Sequence, residues 1–149
     1  MKKNIFIVAL VCFLAVGCNF NTSMINQDSD KADGEKAANA LYSALSEDKF
    51  DEAEKLFGEE TFEVATKEQL LDLFVKTRDN LGKFQGNKLV DWQAQETSGS
   101  VDKTEYKMVY EVTYEKYIAT ETFLLLKKGD DGPVKIVGYH VDSPGFLKQ

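Results

Sequence analysis

A change of hydrophobic period at Gly86 constrains this chain more than any other feature. Upstream of it, apolar residues recur at the 3.6-residue spacing of amphipathic helices. Downstream, they alternate with polar residues at the two-residue spacing of strands. Helices first and strands afterwards predict an α+β domain, with N-terminal helices packed on a curved antiparallel four-stranded sheet. No internal repeat and no second domain is visible in the sequence.

Upstream of Gly86, Ala37, Ala38, Leu41, Ala44 and Leu45 form one helical stripe, with Glu35, Lys36 and Glu47 outside it. Asp51 and Glu54 have capping-box spacing for a short second helix whose apolar face is Ala53, Leu56 and Phe57 and which Gly58 ends. Thr66 and Gln69 make another capping box, opening a helix over 67–81 with Leu70, Leu73, Phe74, Thr77 and Leu81 on one side. Gly82 is placed as its left-handed C-terminal cap.

Downstream, Val90, Trp92 and Ala94 define a half-buried strand ended by Ser98-Gly99-Ser100. Tyr106, Met108, Tyr110, Val112 and Tyr114 define a second. Residues 120–127 form a third, whose Phe123-Leu124-Leu125-Leu126 run suggests burial on both faces and leaves its register open. Asp130-Asp131-Gly132-Pro133 is a turn into the last strand, Val134–Asp142.

The N-terminus sets the address. Lys2 and Lys3 precede an apolar run from Ile5 to Val16, too short for a membrane span, which needs about 20 apolar residues. Small Gly17 stands directly before Cys18. This pattern resembles the bacterial lipoprotein signal, the lipobox, although Ala15 stands where that family usually has leucine. The resemblance implies a lipid on the Cys18 thiol, cleavage of residues 1–17, and an acylated new amino terminus. Two acyl chains give durable attachment where one gives reversible binding. Residues 18–34, polar and patternless, read as a lipidated cysteine and flexible tether, and 35–149 as a single domain. Location follows: exported, and held at the outer face of the cytoplasmic membrane or at the outer membrane of a bacterium.

Charge and cysteine content narrow the function. The whole chain carries −7, and loss of Lys2 and Lys3 with the signal makes it −9. Nucleic-acid binding, which needs clustered Lys and Arg, is excluded as a reading. Of the two cysteines, Cys12 leaves with the signal and Cys18 is used by lipid. The domain therefore has no thiol for catalysis, metal binding or a disulfide, and must be held by its core.

The closing residues of several elements carry a second resemblance: Leu45 to Phe57, Leu81-Gly82-Lys83-Phe84, the Tyr110–Tyr114 strand and Gly138-Tyr139-His140-Val141-Asp142-Ser143. Together they resemble the nuclear transport factor 2-like superfamily, also described as cystatin-like, and within it small lipoproteins of unknown function. That resemblance, over about 35–143, implies a cone in which helices close one end of a bent sheet around a pocket. Members use the pocket for catalysis, for binding or for subunit pairing, and fold does not choose among these.

Candidate chemistry centres on His140, the only histidine, with Asp142 two residues on and so on the same strand face. As an acid/base pair with Tyr110 or Tyr114 as donor, they would make an isomerase- or dehydratase-like pocket enzyme. As a strand-end histidine beside a core tyrosine stripe, they would do no chemistry. The residues favour the second reading, because nothing else converges on the pair. Trp92, Tyr110, Tyr114, Phe123 and His140 are the candidate pocket residues. No metal motif, phosphate loop or nucleophile motif is present, so no cofactor is expected. The expectation is a lipid-anchored, non-enzymatic binding or interaction domain. Its partners are the membrane through Cys18 and a protein or small apolar ligand. A homodimer through the open sheet face and an inhibitor or accessory role toward another envelope protein stand as alternatives.

Overall fold

A computed structural model describes residues 21–100 and 102–147. The lipobox and the first residues after it lie outside the described residues. The element order is β1 (Asn21–Met24), α1 (Asp28–Ser46), α2 (Phe50–Glu54), α3 (Glu59–Val64), α4 (Lys67–Leu81), β2 (Phe84–Ser98), β3 (Lys103–Tyr114), β4 (Ile118–Lys128) and β5 (Val134–Asp142), then a 3₁₀ turn over Pro144–Phe146. The strands form one antiparallel meander in chain order β1-β2-β3-β4-β5. The domain is α+β with its helices on one face of an open sheet. The sheet has five strands where four were expected.

The additional strand comes from the segment predicted as tether. Asn21 pairs with Ser98 and Met24 with Gln95. The pairing is extended by Ile25 N–H donating to the Ala94 carbonyl (3.2 Å) and by Ala94 N–H donating to Asn26 Oδ1 (2.7 Å). Asn26 takes a positive φ of 35° there, a conformation in which its short amide side chain can bond locally. Helix α1 then starts at Asp28, its first turn secured by Gln27 N–H donating to Asp30 Oδ2 (3.0 Å), so the ordered domain begins before residue 35. Gly34 lies inside this helix because the backbone runs against the sheet: a Cβ there would fall 2.7 Å from the Met108 sulfur. Ala38, Leu41, Tyr42 and Ala44 continue the buried face.

Helix α4 is as the spacing predicts. Gln69 N–H donates to Thr66 Oγ1 (3.2 Å) and Thr66 N–H to Gln69 Oε1 (2.8 Å), and Leu70, Phe74, Thr77 and Leu81 are buried. Gly82 ends it with φ 87° but ψ −168°, an extended glycine conformation in place of the left-handed helical one. The positive φ still calls for glycine there, while the extended ψ turns the backbone straight into β2. The predicted Asp51 cap is not formed: α2 starts at Phe50, with Lys49 as its N-cap. Helix α3 has no clear sequence signal and is held by tertiary bonds, Gly58 N–H and Thr61 Oγ1 both donating to the Ile136 carbonyl (2.8 and 3.1 Å).

In the sheet, the tyrosine stripe of β3 is buried as expected. Strand β4 settles its register with Ala119, Glu121, Phe123 and Leu125 inward. Burial on both faces does not hold, since Leu124 is 48% exposed on the other side. On β2 a bulge between Leu89 and Asp91 leaves Val90 unpaired and turned outward, while Leu89 and Trp92 keep the inner face opposite Tyr110 and Met108. A register shift opposite Leu124 and Leu125 likewise leaves Val137 of β5 unpaired, though half-buried. Among the described residues, no helix is long and apolar enough to cross a membrane.

Candidate functional site

The most unusual residue of the core is an acid. Glu121 has no exposed surface, in a strand whose other inward residues are Ala119, Phe123 and Leu125. An unpaired carboxylate in such a place would cost several kcal/mol. The fold answers with hydroxyls from three directions. Tyr114, on β3, donates to Oε1 (2.5 Å), and Tyr139, on β5, donates to Oε2 (2.7 Å). Tyr42, from α1, faces the same carboxyl and acts on its charge without closing a well-formed hydrogen bond.

Burial raises the Glu121 pKa above the ordinary carboxylate range, and the tyrosine hydroxyls oppose this without overcoming it. The tyrosines respond in turn. Tyr42, Tyr114 and Tyr139 are all raised above the ordinary phenol value, first by burial and then by the neighbouring Glu121 charge. Part of Tyr139 reaches solvent, while its hydroxyl end is enclosed. No cation belongs to the group: the described ion pairs involve other residues. The cluster is one buried acid solvated by phenols.

Rings surround it. Phe84 stacks on Tyr42 at 5.0 Å, Phe123 lies 5.6 Å from Tyr42, 5.7 Å from Tyr110 and 5.0 Å from Tyr139, and Phe74 lies 6.3 Å from Tyr139. Such edge and tilted contacts add to plain area burial. A slot opens beside the cluster, between the α1–α2 turn, α4 and the start of β2. Its walls are Leu45, Phe50, Phe74, Phe84, Tyr114 and Tyr139, and it encloses about 30 Å³, room for a water molecule or two. Thr77, 5% exposed, lines the slot with a hydroxyl that has no described partner. Arg78, paired with Asp48 and lying 5.4 Å over the Phe50 ring, stands at the mouth with Lys83.

Two larger hollows lie at the other end of the sheet. One, of about 350 Å³, borders Phe57, Glu60, Lys128 and Lys135; another, of about 380 Å³, borders Asp33, Lys36, Lys127 and Asp130. Both are open and bounded by solvated ion pairs, Lys128–Glu60 and Lys127–Asp33. Size alone would choose these, but enclosure, aromatic walls and an adjacent buried acid single out the slot.

The sequence-predicted residues divide between the two faces of the sheet. His140 is exposed and pairs with Thr122, which pairs with Val109; Asp142 is exposed and pairs with Thr120. Directly opposed residues share a face, so His140 and Asp142 stand on the side away from the helices. Tyr110 and Tyr114 are buried on the other. The sharp acid/base constellation is therefore not assembled. Tyr110 and Phe123 pack in the core behind the slot, Trp92 is half-buried farther along β2, and of the predicted pocket residues Tyr114 alone lines the slot. Glu121 was not singled out from the sequence, nor were Tyr42 and Tyr139 as its partners. The available signal was phase: once Ala119, Phe123 and Leu125 are taken as inward, Glu121 must be inward too. Among the described residues, no group of three or more His, Cys, Asp or Glu side chains is disposed to hold a metal ion.

No protein-family model matches the chain, and no curated protein or solved structure matches it significantly.

Proposed function

We propose that this chain is a bacterial envelope lipoprotein held by lipid on Cys18, whose domain is a non-enzymatic binding module of the cone-shaped, cystatin-like kind. The slot is its binding site, taking a small apolar group, either a free ligand or a side chain of a protein partner. One observation carries the reading. Tyr114 and Tyr139 both donate inward to Glu121, so apart from the Thr77 hydroxyl what the enclosed part of the slot offers an occupant is chiefly the rings of Phe50, Phe74 and Phe84.

The arrangement gives less support to a proton-transfer enzyme. Glu121 has the raised pKa that such chemistry uses, but both its oxygens are occupied and it sits behind the two tyrosines. A homodimer through the outer sheet face also has less support. The exposed Met24, Val90, Ile118 and Leu124 stand on that face, but they are separated by polar residues such as Lys107, Glu111, Thr120 and Thr122.

Two experiments test the parts separately. Incorporation of a fatty-acid label should require Cys18 and be lost in Cys18→Ala; labelling that persists in the variant removes the anchor. Equilibration of the soluble domain with xenon, a single apolar atom of about the slot's size, followed by backbone amide shifts, should give saturable changes confined to residues around Phe74, Thr77 and Tyr114. Shifts on the outer sheet face instead would move the binding role there.

A further inference from the structure

We infer that the domain stands upright on the membrane: the β2–β3 and β4–β5 hairpin tips lie at the lipid, and the slot opens at the far end, toward water. The inference rests on the reading that Cys18 carries the lipid, and it deepens that reading by fixing which occupants can reach the slot.

The argument begins with chain length. Only Asn19 and Phe20 separate Cys18 from Asn21, the first residue of β1. Three residue steps of fully extended chain span at most about 11 Å. The sixteen-residue leash read from composition is therefore not available. Asn21 pairs with Ser98, at the last rung of β2 before its turn. That rung lies at one end of the sheet, where Lys103 pairs with Lys128 and Gly129 N–H donates to the Asp102 carbonyl (2.8 Å). The strand that receives the anchor is itself secured through Asn26 to the backbone of Ala94.

The slot is at the opposite end. Phe84 and Tyr114, two of its walls, are paired with each other at the far limit of the β2–β3 ladder. Strand β3 runs from Lys103 beside the anchor to Tyr114 beside the slot, eleven steps at about 3.3 Å, or roughly 36 Å. A short leash alone would let the domain tip onto its side. Charge acts against that: after loss of Lys2 and Lys3 the chain carries −9, and an anionic bilayer repels it. Upright, the slot is held tens of ångströms above the headgroups. It then receives a water-borne ligand or the side chain of a partner standing in the aqueous space, and not an acyl chain drawn from the bilayer below.

The thiol-free domain allows a clean test. Full-length lipoprotein carrying Ser100→Cys or Thr113→Cys, each labelled with a fluorophore, is reconstituted into phosphatidylethanolamine–phosphatidylglycerol vesicles containing a headgroup-spin-labelled quencher lipid. The upright arrangement gives severalfold stronger quenching at position 100 than at 113. Equal quenching at the two positions, or stronger quenching at 113, overturns it. A long Gly/Ser insertion between Phe20 and Asn21 should weaken the contrast, and an unchanged contrast would also overturn the inference by showing that the leash does not set it. Co-flotation with the vesicles reports the anchor independently. Protein that floats with the wrong quenching pattern defeats the orientation alone, whereas protein that fails to float, or Cys18→Ala that floats equally well, defeats the lipid reading beneath it.

Discussion

The two ends of the sheet solve opposite problems. At the slot end, aromatic rings from α1, α4 and four strands enclose one acid and supply it with hydroxyls. At the hairpin end, Lys103, Lys127 and Lys128 face Asp33, Glu60 and Glu105 in pairs that water reaches. The first end depends on every contact being in place, because a buried polar group left alone is costly. The second depends on none, since exposed pairs contribute little. Stability should therefore be concentrated where the candidate site is, and substitution should show it.

The largest effect is expected from Phe123→Ala, which removes the ring shared by Tyr42, Tyr110 and Tyr139. Urea unfolding should show a loss of about 3–5 kcal/mol. A loss below about 1 kcal/mol would mean that the cluster collapses around the gap and that the aromatic end is looser than drawn. Next come Tyr114→Phe and Tyr139→Phe, each stripping one donor from Glu121, with an expected cost of about 1–3 kcal/mol. The two should be non-additive in a double-mutant cycle, because they serve one carboxyl.

Glu121→Gln sharpens the comparison through pH. A raised pKa in the folded state means that Glu121 holds its proton more tightly folded than unfolded. Its contribution is fully present below the ordinary carboxylate pKa and is lost as pH rises through the folded-state value. Wild-type stability should thus fall with rising pH across that window, and Glu121→Gln should flatten this component of the profile. A slope unchanged by the substitution would place the responsible proton elsewhere. Smallest of all, Thr77→Val should leave stability unchanged or slightly raised, since it replaces a buried hydroxyl without a described partner by a methyl group. A clear loss would reveal that the hydroxyl is satisfied by slot water. At the other end, Lys128→Ala should have no measurable effect on unfolding.

Much of this architecture is legible before any coordinates. The Thr66–Gln69 box and the stripe from Leu70 to Leu81 specify α4, and five alternating residues from Tyr106 to Tyr114 specify β3 and its inward face. Both signals are local and repeated. What is not legible depends on partners distant in sequence. Asn21-Thr22-Ser23-Met24 has no strand pattern of its own and is a strand because the edge of β2 is there to receive it. Val90 belongs by alternation with Trp92, and a bulge separates them. Glu121 looks like an ordinary surface acid until the register of β4 is known, and that register hides in a run of apolar residues with no period. The candidate site escaped because its central residue breaks the composition rule that locates cores, and three tyrosines from three separate elements make the exception tolerable.

The placement of β1 has a mechanical side. Its first residue is the one nearest Cys18, and the strand runs from the hairpin end toward the middle of the sheet, antiparallel to β2. If the lipid holds Cys18 while a partner draws the domain away from the bilayer, the pull at Asn21 lies along the strand axis. The β1–β2 hydrogen bonds are then loaded together in shear, instead of being peeled one after another. Four paired residues in that geometry, backed by the Asn26 latch on Ala94, make a short strand a strong handle. The same four residues pulled sideways would unzip from the edge. On the proposed anchoring, a domain tugged from above would thus have its weakest-looking strand pointed in its strongest direction.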